Sequence, residues 1–75
     1  MSTKELRKIA WVRGLTESGA ARSIRKGARI SLPEMARTVG CAVSTLWRWE
    51  AGERTPQGKL ALKYARVLES LLEGR

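Results

Sequence analysis

Glycine divides this chain into short segments, and that spacing limits the folds open to it. The dividing residues are Gly14, Gly27, Gly40, Gly52 and Gly74. Apolar residues recur at helical spacing between them, and glycine is favoured just after a helix because it adopts the left-handed conformation without steric cost. No segment alternates polar and apolar residues for long enough to indicate a strand. The sequence therefore predicts an all-α fold.

Start and stop signals predict five helices, at residues 3–13, 17–26, 32–39, 43–51 and 57–73. Ser2 and Glu5 begin the first with the S-x-x-E pattern of a capping box, and Ser31 and Glu34 repeat it before the third. The first helix carries one row of mostly apolar residues: Leu6, Ile9, Ala10 and Arg13. We expect a compact helix-turn-helix bundle with an extra N-terminal helix and a longer C-terminal helix.

A chain of 75 residues is expected to form a single domain, residues 1–75, with a modest core. Cys41 is the only cysteine and histidine is absent, so we expect no disulfide, no metal site and no cofactor. No apolar run approaches the roughly 20 residues of a membrane span, and charges interrupt the region where a signal peptide would be apolar. These features predict a cytoplasmic protein.

The net charge of +8, with a pI near 10.9, favours a polyanionic partner. Nucleic acid is the leading candidate; a membrane surface and merely solubilising charge are the alternatives. An enzyme is not expected, because a chain without histidine, with one isolated cysteine and few acids offers no acid–base pair and no activated nucleophile.

Residues 32–51 predict a helix-turn-helix: a helix ending at Val39, a turn beginning with Gly40, and a second helix from Val43. Residues 25–56, RKGARISLPEMARTVGCAVSTLWRWEAGERTP, resemble the Cro/phage-repressor (XRE) family of helix-turn-helix proteins. The matching positions are Arg25, Ser31, Leu32, Ala36, Gly40, Ser44, Thr45, Leu46, Trp49, Glu50, Gly52 and Pro56.

The resemblance implies that the helix 43–51 enters the major groove of DNA and reads base edges with Val43, Ser44 and Arg48, with Trp47 beside them. Arginine can bind guanine O6 and N7, serine can donate or accept, and valine can pack on a thymine methyl. Trp47 could instead be buried against the N-terminal helix. Trp49 lies on the same side as Leu46 and is expected in the core.

Phosphate contacts are expected beside these residues, because a helix N-terminus and long cations both suit phosphate oxygens. The candidates are Leu32, Arg37, Thr45, Arg54 and Lys59. The resemblance further implies that Glu50 forms a structural ion pair with Arg25; the alternative is two solvated charges. The other cations near Arg25 can be simple surface residues.

Two features depart from the family pattern. Ala42 stands where family members usually carry a serine or threonine that caps the recognition helix. The absence of this capping side chain should cost about 1 kcal/mol of stability. The chain before Ser31 is also longer than the family's single first helix requires, so the helix 3–13 is an addition whose role the resemblance does not supply.

The resemblance implies a sequence-specific binder of double-stranded DNA that regulates transcription, most simply a small Cro-like phage or plasmid repressor. One monomer reads few base pairs, so a homodimer on two half-sites is expected, through the helix 57–73 or 3–13. No small-molecule effector is expected. Two alternatives stay open: an excisionase-like or architectural recombination accessory, and an antitoxin- or coactivator-like protein-interaction module.

Overall fold

The computed structural model describes residues 1–74, which form five helices. These are α1 (Thr3–Ser18), α2 (Ala20–Gly27), α3 (Leu32–Val39), α4 (Val43–Glu50) and α5 (Gly58–Glu73). No strand occurs among the described residues, and the predicted all-α class is confirmed. α5 packs against α1, α2 and α3, and α3 packs against α4. α5 is therefore the central helix of the bundle.

All five helices contribute side chains to one apolar core. Its buried members are Ile9, Val12, Ala21, Met35, Ala36, Val39, Leu46, Trp49, Ala61, Leu62, Tyr64, Ala65 and Leu68. Trp11, from the added N-terminal helix, is half-buried and packs against this cluster. Burial of these side chains is the main favourable term for a chain with no disulfide and only a small core.

The boundary between the first two helices differs from the prediction. α1 continues through Gly14 to Ser18, and Gly19 is the residue that adopts the left-handed conformation, with φ 85°. Glycine inside a helix costs about 1 kcal/mol relative to alanine, and the packing of Val12 and Thr16 outweighs that cost. α2 consequently begins at Ala20, three residues later than predicted.

The buried side of α1 was also predicted only in part. Ile9 is buried, as expected, but Leu6 is 54% exposed. Val12 and Thr16 complete the buried side instead. The longer helix packs along α5 and α2, so the row of contacts is selected by the whole length of the helix rather than by its first turns.

Both predicted capping boxes are present. At α1 the Glu5 N–H donates to Ser2 Oγ and the Ser2 N–H donates to Glu5 Oε1; at α3 Glu34 and Ser31 make the same two bonds. These backbone hydrogen bonds lower the pKa of Glu5 and of Glu34 below the usual range. Both carboxylates therefore stay ionised, and the starts of α1 and α3 are fixed by local sequence.

Candidate nucleic-acid interface

α4 has two sides of different character. Its inward side is buried and consists of Leu46, Trp49 and Glu50. Its outward side is exposed and consists of Val43, Ser44, Trp47 and Arg48. We call these four exposed residues the reading face. Trp47 is 50% exposed, which contradicts the alternative that it is buried against the N-terminal helix.

A bidentate ion pair joins the end of α4 to α2. Arg25 Nε donates to Glu50 Oε2 at 2.6 Å, and a terminal nitrogen of Arg25 donates to Glu50 Oε1 at 3.0 Å. The other terminal nitrogen donates to the Ile30 carbonyl at 2.7 Å. The hydrogen bonds to Glu50 raise the pKa of Arg25. Both side chains are buried, so the two charges neutralise each other beneath the reading face.

An aromatic contact holds α4 against the central helix. The rings of Trp49 and Tyr64 are stacked, with centroids 5.1 Å apart and planes inclined by 26°. Tyr64 is fully buried, and its hydroxyl makes no hydrogen bond within the described residues. Burial raises the pKa of Tyr64 well above its usual value, and the nearby Glu50 charge adds to this. Tyr64 is therefore neutral at physiological pH.

The turn before α4 is short and built on one glycine. Gly40 has φ 92°, and the Gly40 and Cys41 N–H groups both donate to the Ala36 carbonyl. Burial raises the pKa of the Cys41 thiol, which keeps it neutral. Ala42 is the N-cap of α4 and supplies no side-chain hydrogen bond. The first turn of α4 therefore lacks the usual side-chain acceptor for its N–H groups.

The candidate phosphate contacts lie on several elements. Leu32 is the first residue of α3 and is half-buried, as is Thr45 on α4. Arg37, Arg54 and Lys59 are exposed on α3, on the loop after α4 and on α5. The structure thus distributes the five candidates over three helices and a loop.

One further cation borders the reading face. Arg22, which was not among the predicted site residues, lines a pocket of about 200 Å³ with Leu32, Trp47 and Ala51. The buried Arg25–Glu50 pair forms another part of the same lining. Arg22 lies three residues before Arg25 on α2, and this spacing, which puts two arginines on one side of a helix, was the available signal.

Neither a metal site nor a membrane span is evident in the part of the chain that the structure describes. No cluster of three or more His, Cys, Asp or Glu side chains is arranged to hold a metal ion in residues 1–74. None of the five helices has the length and apolar character needed to cross a membrane.

The geometry of α3, the Gly40 turn and α4 is that of a helix-turn-helix, in which the second helix carries exposed side chains for a DNA groove. A family model described as Helix-turn-helix matches residues 22–73. The chain belongs to this family, in its Cro/C1 (XRE) type, and is a DNA-binding transcription regulator. No curated protein and no solved structure matches the chain significantly.

Proposed function

We propose that the protein is a small sequence-specific repressor that places α4 in the major groove of an operator and occludes a promoter. The observation that carries the proposal is the exposure of Val43, Ser44, Trp47 and Arg48 on one side of a helix whose other side is buried. Trp47 is 50% exposed and Val43 is 43% exposed on the same side as Arg48, and exposed apolar residues grouped in this way are typical of an interaction surface.

The reading face suits base edges in the major groove. Arg48 can donate two hydrogen bonds to guanine O6 and N7, and Ser44 can bond to several bases. Val43 offers an exposed apolar surface at the start of α4 that fits a thymine methyl group. Trp47 is half exposed and lines the pocket that also contains Leu32, so its indole can cover a sugar or a thymine methyl at the edge of the groove.

The phosphate contacts would then fix how deep α4 lies in the groove. Leu32 offers a backbone N–H in the first turn of α3, where the helix dipole favours an anion. Arg37, Thr45, Arg54 and Lys59 complete the proposed set, and Arg22 adds a cation at the same pocket as Leu32. The uncapped first turn of α4 leaves further N–H groups for a phosphate.

The size of the reading face supports a homodimer on two half-sites. An α4 of eight residues contacts only a few base pairs, and helix-turn-helix dimers reach specificity by placing two such helices about one DNA turn apart. The last turn of α5 carries Leu71 and Leu72, of which Leu72 is 43% exposed, and this apolar surface supports a contact between two copies.

Selection of binding sites from a random duplex pool tests the proposal. We expect the enriched sequences to contain two related half-sites with centres about 10 base pairs apart. Enrichment of one unpaired half-site would contradict the homodimer while leaving sequence-specific reading intact. A pool that is bound without enrichment would contradict the repressor itself and favour an architectural or protein-interaction role.

A further inference from the structure

A second basic surface lies mainly on α1, a helix that precedes residues 22–73 that the family model matches. It is a shallow groove of about 240 Å³ lined by Lys4, Arg7, Lys8, Trp11 and Glu69. The four α1 residues follow helical spacing, so they share one side of this helix. We call these five residues the α1 groove. None of the residues proposed to contact the operator belongs to the α1 groove.

The α1 groove carries an excess of positive charge. Lys8 Nζ lies 2.8 Å from Glu69 Oε1, and these two charges offset each other. Lys4 and Arg7 are exposed, and neither makes an ion pair or a side-chain hydrogen bond with the described residues. The nearby Glu5 carboxylate stays ionised, but it is turned to the Ser2 N–H and makes no ion pair with Lys4 or Arg7 in the described residues. Two cations are therefore available beside one indole.

Trp11 limits the kind of ligand that fits. Its ring is half-buried and packs against the core, which limits the area that it offers for stacking on an unpaired base. The exposed part of the indole offers an apolar edge and one N–H donor. Cations flanking such an edge suit the phosphates and sugars of a duplex backbone, with no reading of its sequence.

The α1 groove shares no residue with the pocket beside the reading face, and it lies away from the loop that follows α4. Arg13 Nε donates to the Pro56 carbonyl at 3.0 Å, which fixes the middle of α1 to the loop that follows α4. Lys4 lies nine residues before Arg13, or roughly 13 Å along the helix at 1.5 Å per residue. The Lys8 contact with Glu69 likewise lies towards the end of α5 remote from that loop.

We propose that the α1 groove binds the phosphate backbone of a second segment of duplex DNA while α4 occupies the operator. The inference rests on the proposed function for the first segment only. DNA is the polyanion that the protein already binds, and one bound segment raises the effective concentration of its neighbours at the second surface. The protein then bridges two duplexes: α4 binds the operator and the α1 groove binds the backbone of the second segment.

A capture assay tests this with the full chain. An operator duplex from the selection is fixed to a surface, the protein is bound to it, and a labelled duplex of unrelated sequence is added. We expect the wild-type protein to retain the labelled duplex and K4Q/R7Q to retain about tenfold less, with the salt dependence of this step reduced by about 1.8 in slope for two lost phosphate contacts. Operator affinity should change much less than the capture.

Arg7→Gln is the single-residue test variant, and Arg66→Gln is its matched control. Each removes one positive charge from an exposed arginine on a 16-residue helix, but Arg66 lies outside the α1 groove. Capture should fall with Arg7→Gln and persist with Arg66→Gln. Equal losses in both variants, or full capture by K4Q/R7Q, would overturn the proposal. So would loss of binding to phosphatidylserine vesicles in K4Q/R7Q with DNA capture unchanged, since the groove would then serve a membrane surface.

Failure of the α1 groove can be distinguished from failure of operator reading. In an Arg48→Ala background, affinity for unrelated duplex DNA should still fall when Lys4 and Arg7 are replaced by glutamine, and should fall less with Arg66→Gln. An unchanged affinity in that background contradicts the α1 groove, whatever the selection shows. Circular dichroism of K4Q/R7Q checks that both exposed substitutions leave the helices intact.

Discussion

Arg25 binds both carboxylate oxygens of Glu50, and this pair fixes the last residue of the recognition helix to α2. The two side chains are buried, so either charge alone would remain in a poorly solvated place. The Arg25 contact with the Ile30 carbonyl extends the link to the segment that leads into α3. Orientation of the reading face therefore depends on a pair of residues that need not touch DNA.

Glu50→Ala is expected to lower the free energy of unfolding by about 3–5 kcal/mol, because it leaves the Arg25 guanidinium buried without its counter-ion. Urea denaturation followed by tryptophan fluorescence measures the change. Arg22→Ala, on the same helix as Arg25 but exposed, should shift stability by less than about 0.5 kcal/mol. A double variant, R25M/E50L, should recover much of the loss; no recovery would show that the pair does more than neutralise buried charge.

Tyr64→Phe is expected to leave the free energy of unfolding unchanged or to raise it by up to about 1 kcal/mol. The hydroxyl is buried without a hydrogen bond, so its removal abolishes a desolvation cost while the stack on Trp49 remains. Urea denaturation at pH 7 measures this. A loss above about 1 kcal/mol would show that the hydroxyl is hydrogen-bonded in solution.

Tyr64→Phe also isolates the effect of tyrosine ionisation on stability at alkaline pH. Burial raises the folded-state pKa of Tyr64 above its unfolded value of about 10. The free energy of unfolding therefore does not depend on the ionisation of Tyr64 below pH 10, and it falls as the pH rises from 10 towards the folded-state pKa. We expect the wild type to lose stability relative to Tyr64→Phe by about 1.4 kcal/mol per pH unit above pH 10. Parallel stability curves for the two proteins up to pH 11.5 would contradict a buried, neutral Tyr64.

Ala42→Ser should stabilise the protein by about 1 kcal/mol, because serine at the N-cap can accept a hydrogen bond from the first turn of α4. The backbone at Ala42 already has the extended conformation of an N-cap, with φ −70° and ψ 149°. Thermal unfolding compares this variant with Ala51→Ser, at the opposite end of α4, which should have little effect. Equal shifts from both would show that no cap forms.

Two glycines, one inside α1 and one just after it, should respond to alanine with opposite signs. Gly14 is helical and a methyl group on its Cα would meet open space, so Gly14→Ala should stabilise by about 0.5–1 kcal/mol. Gly19 has open space too, but its φ of 85° strains an L-residue, so Gly19→Ala should destabilise by about 1 kcal/mol. Chemical denaturation of the two variants decides where α1 ends; the reverse signs would place the break at Gly14.

Local signals explain which parts of the fold the sequence could predict. Ser31, Glu34 and Gly40 specify α3 and its turn through bonds between near neighbours, so the bounds of α3 were predicted as observed. Gly14 and Gly19 look alike in sequence, and only packing of α1 along the bundle decides which one is left-handed. The choice between them needed tertiary contacts.

The candidate site divides in the same way. Residue spacing placed Trp47 and Trp49 on opposite sides of α4, because helix positions three or four residues apart share a side and positions two apart do not. The stack of Trp49 on Tyr64 and the position of Arg22 beside Trp47 join residues distant in sequence, and no spacing rule predicts which distant side chains meet. The α1 groove was missed because its residues combine with Glu69 only after α1 docks on α5.

The most direct test of operator reading by α4 compares Arg48→Ala with Lys59→Ala on the selected operator and on all single-base variants of one half-site. We predict that Arg48→Ala relaxes the preference at one base pair by about 1–3 kcal/mol, and that Lys59→Ala weakens all sequences alike and reduces the salt slope by about 1. If Arg48→Ala weakened every sequence equally, and no base preference changed, α4 would not be the element that reads the operator.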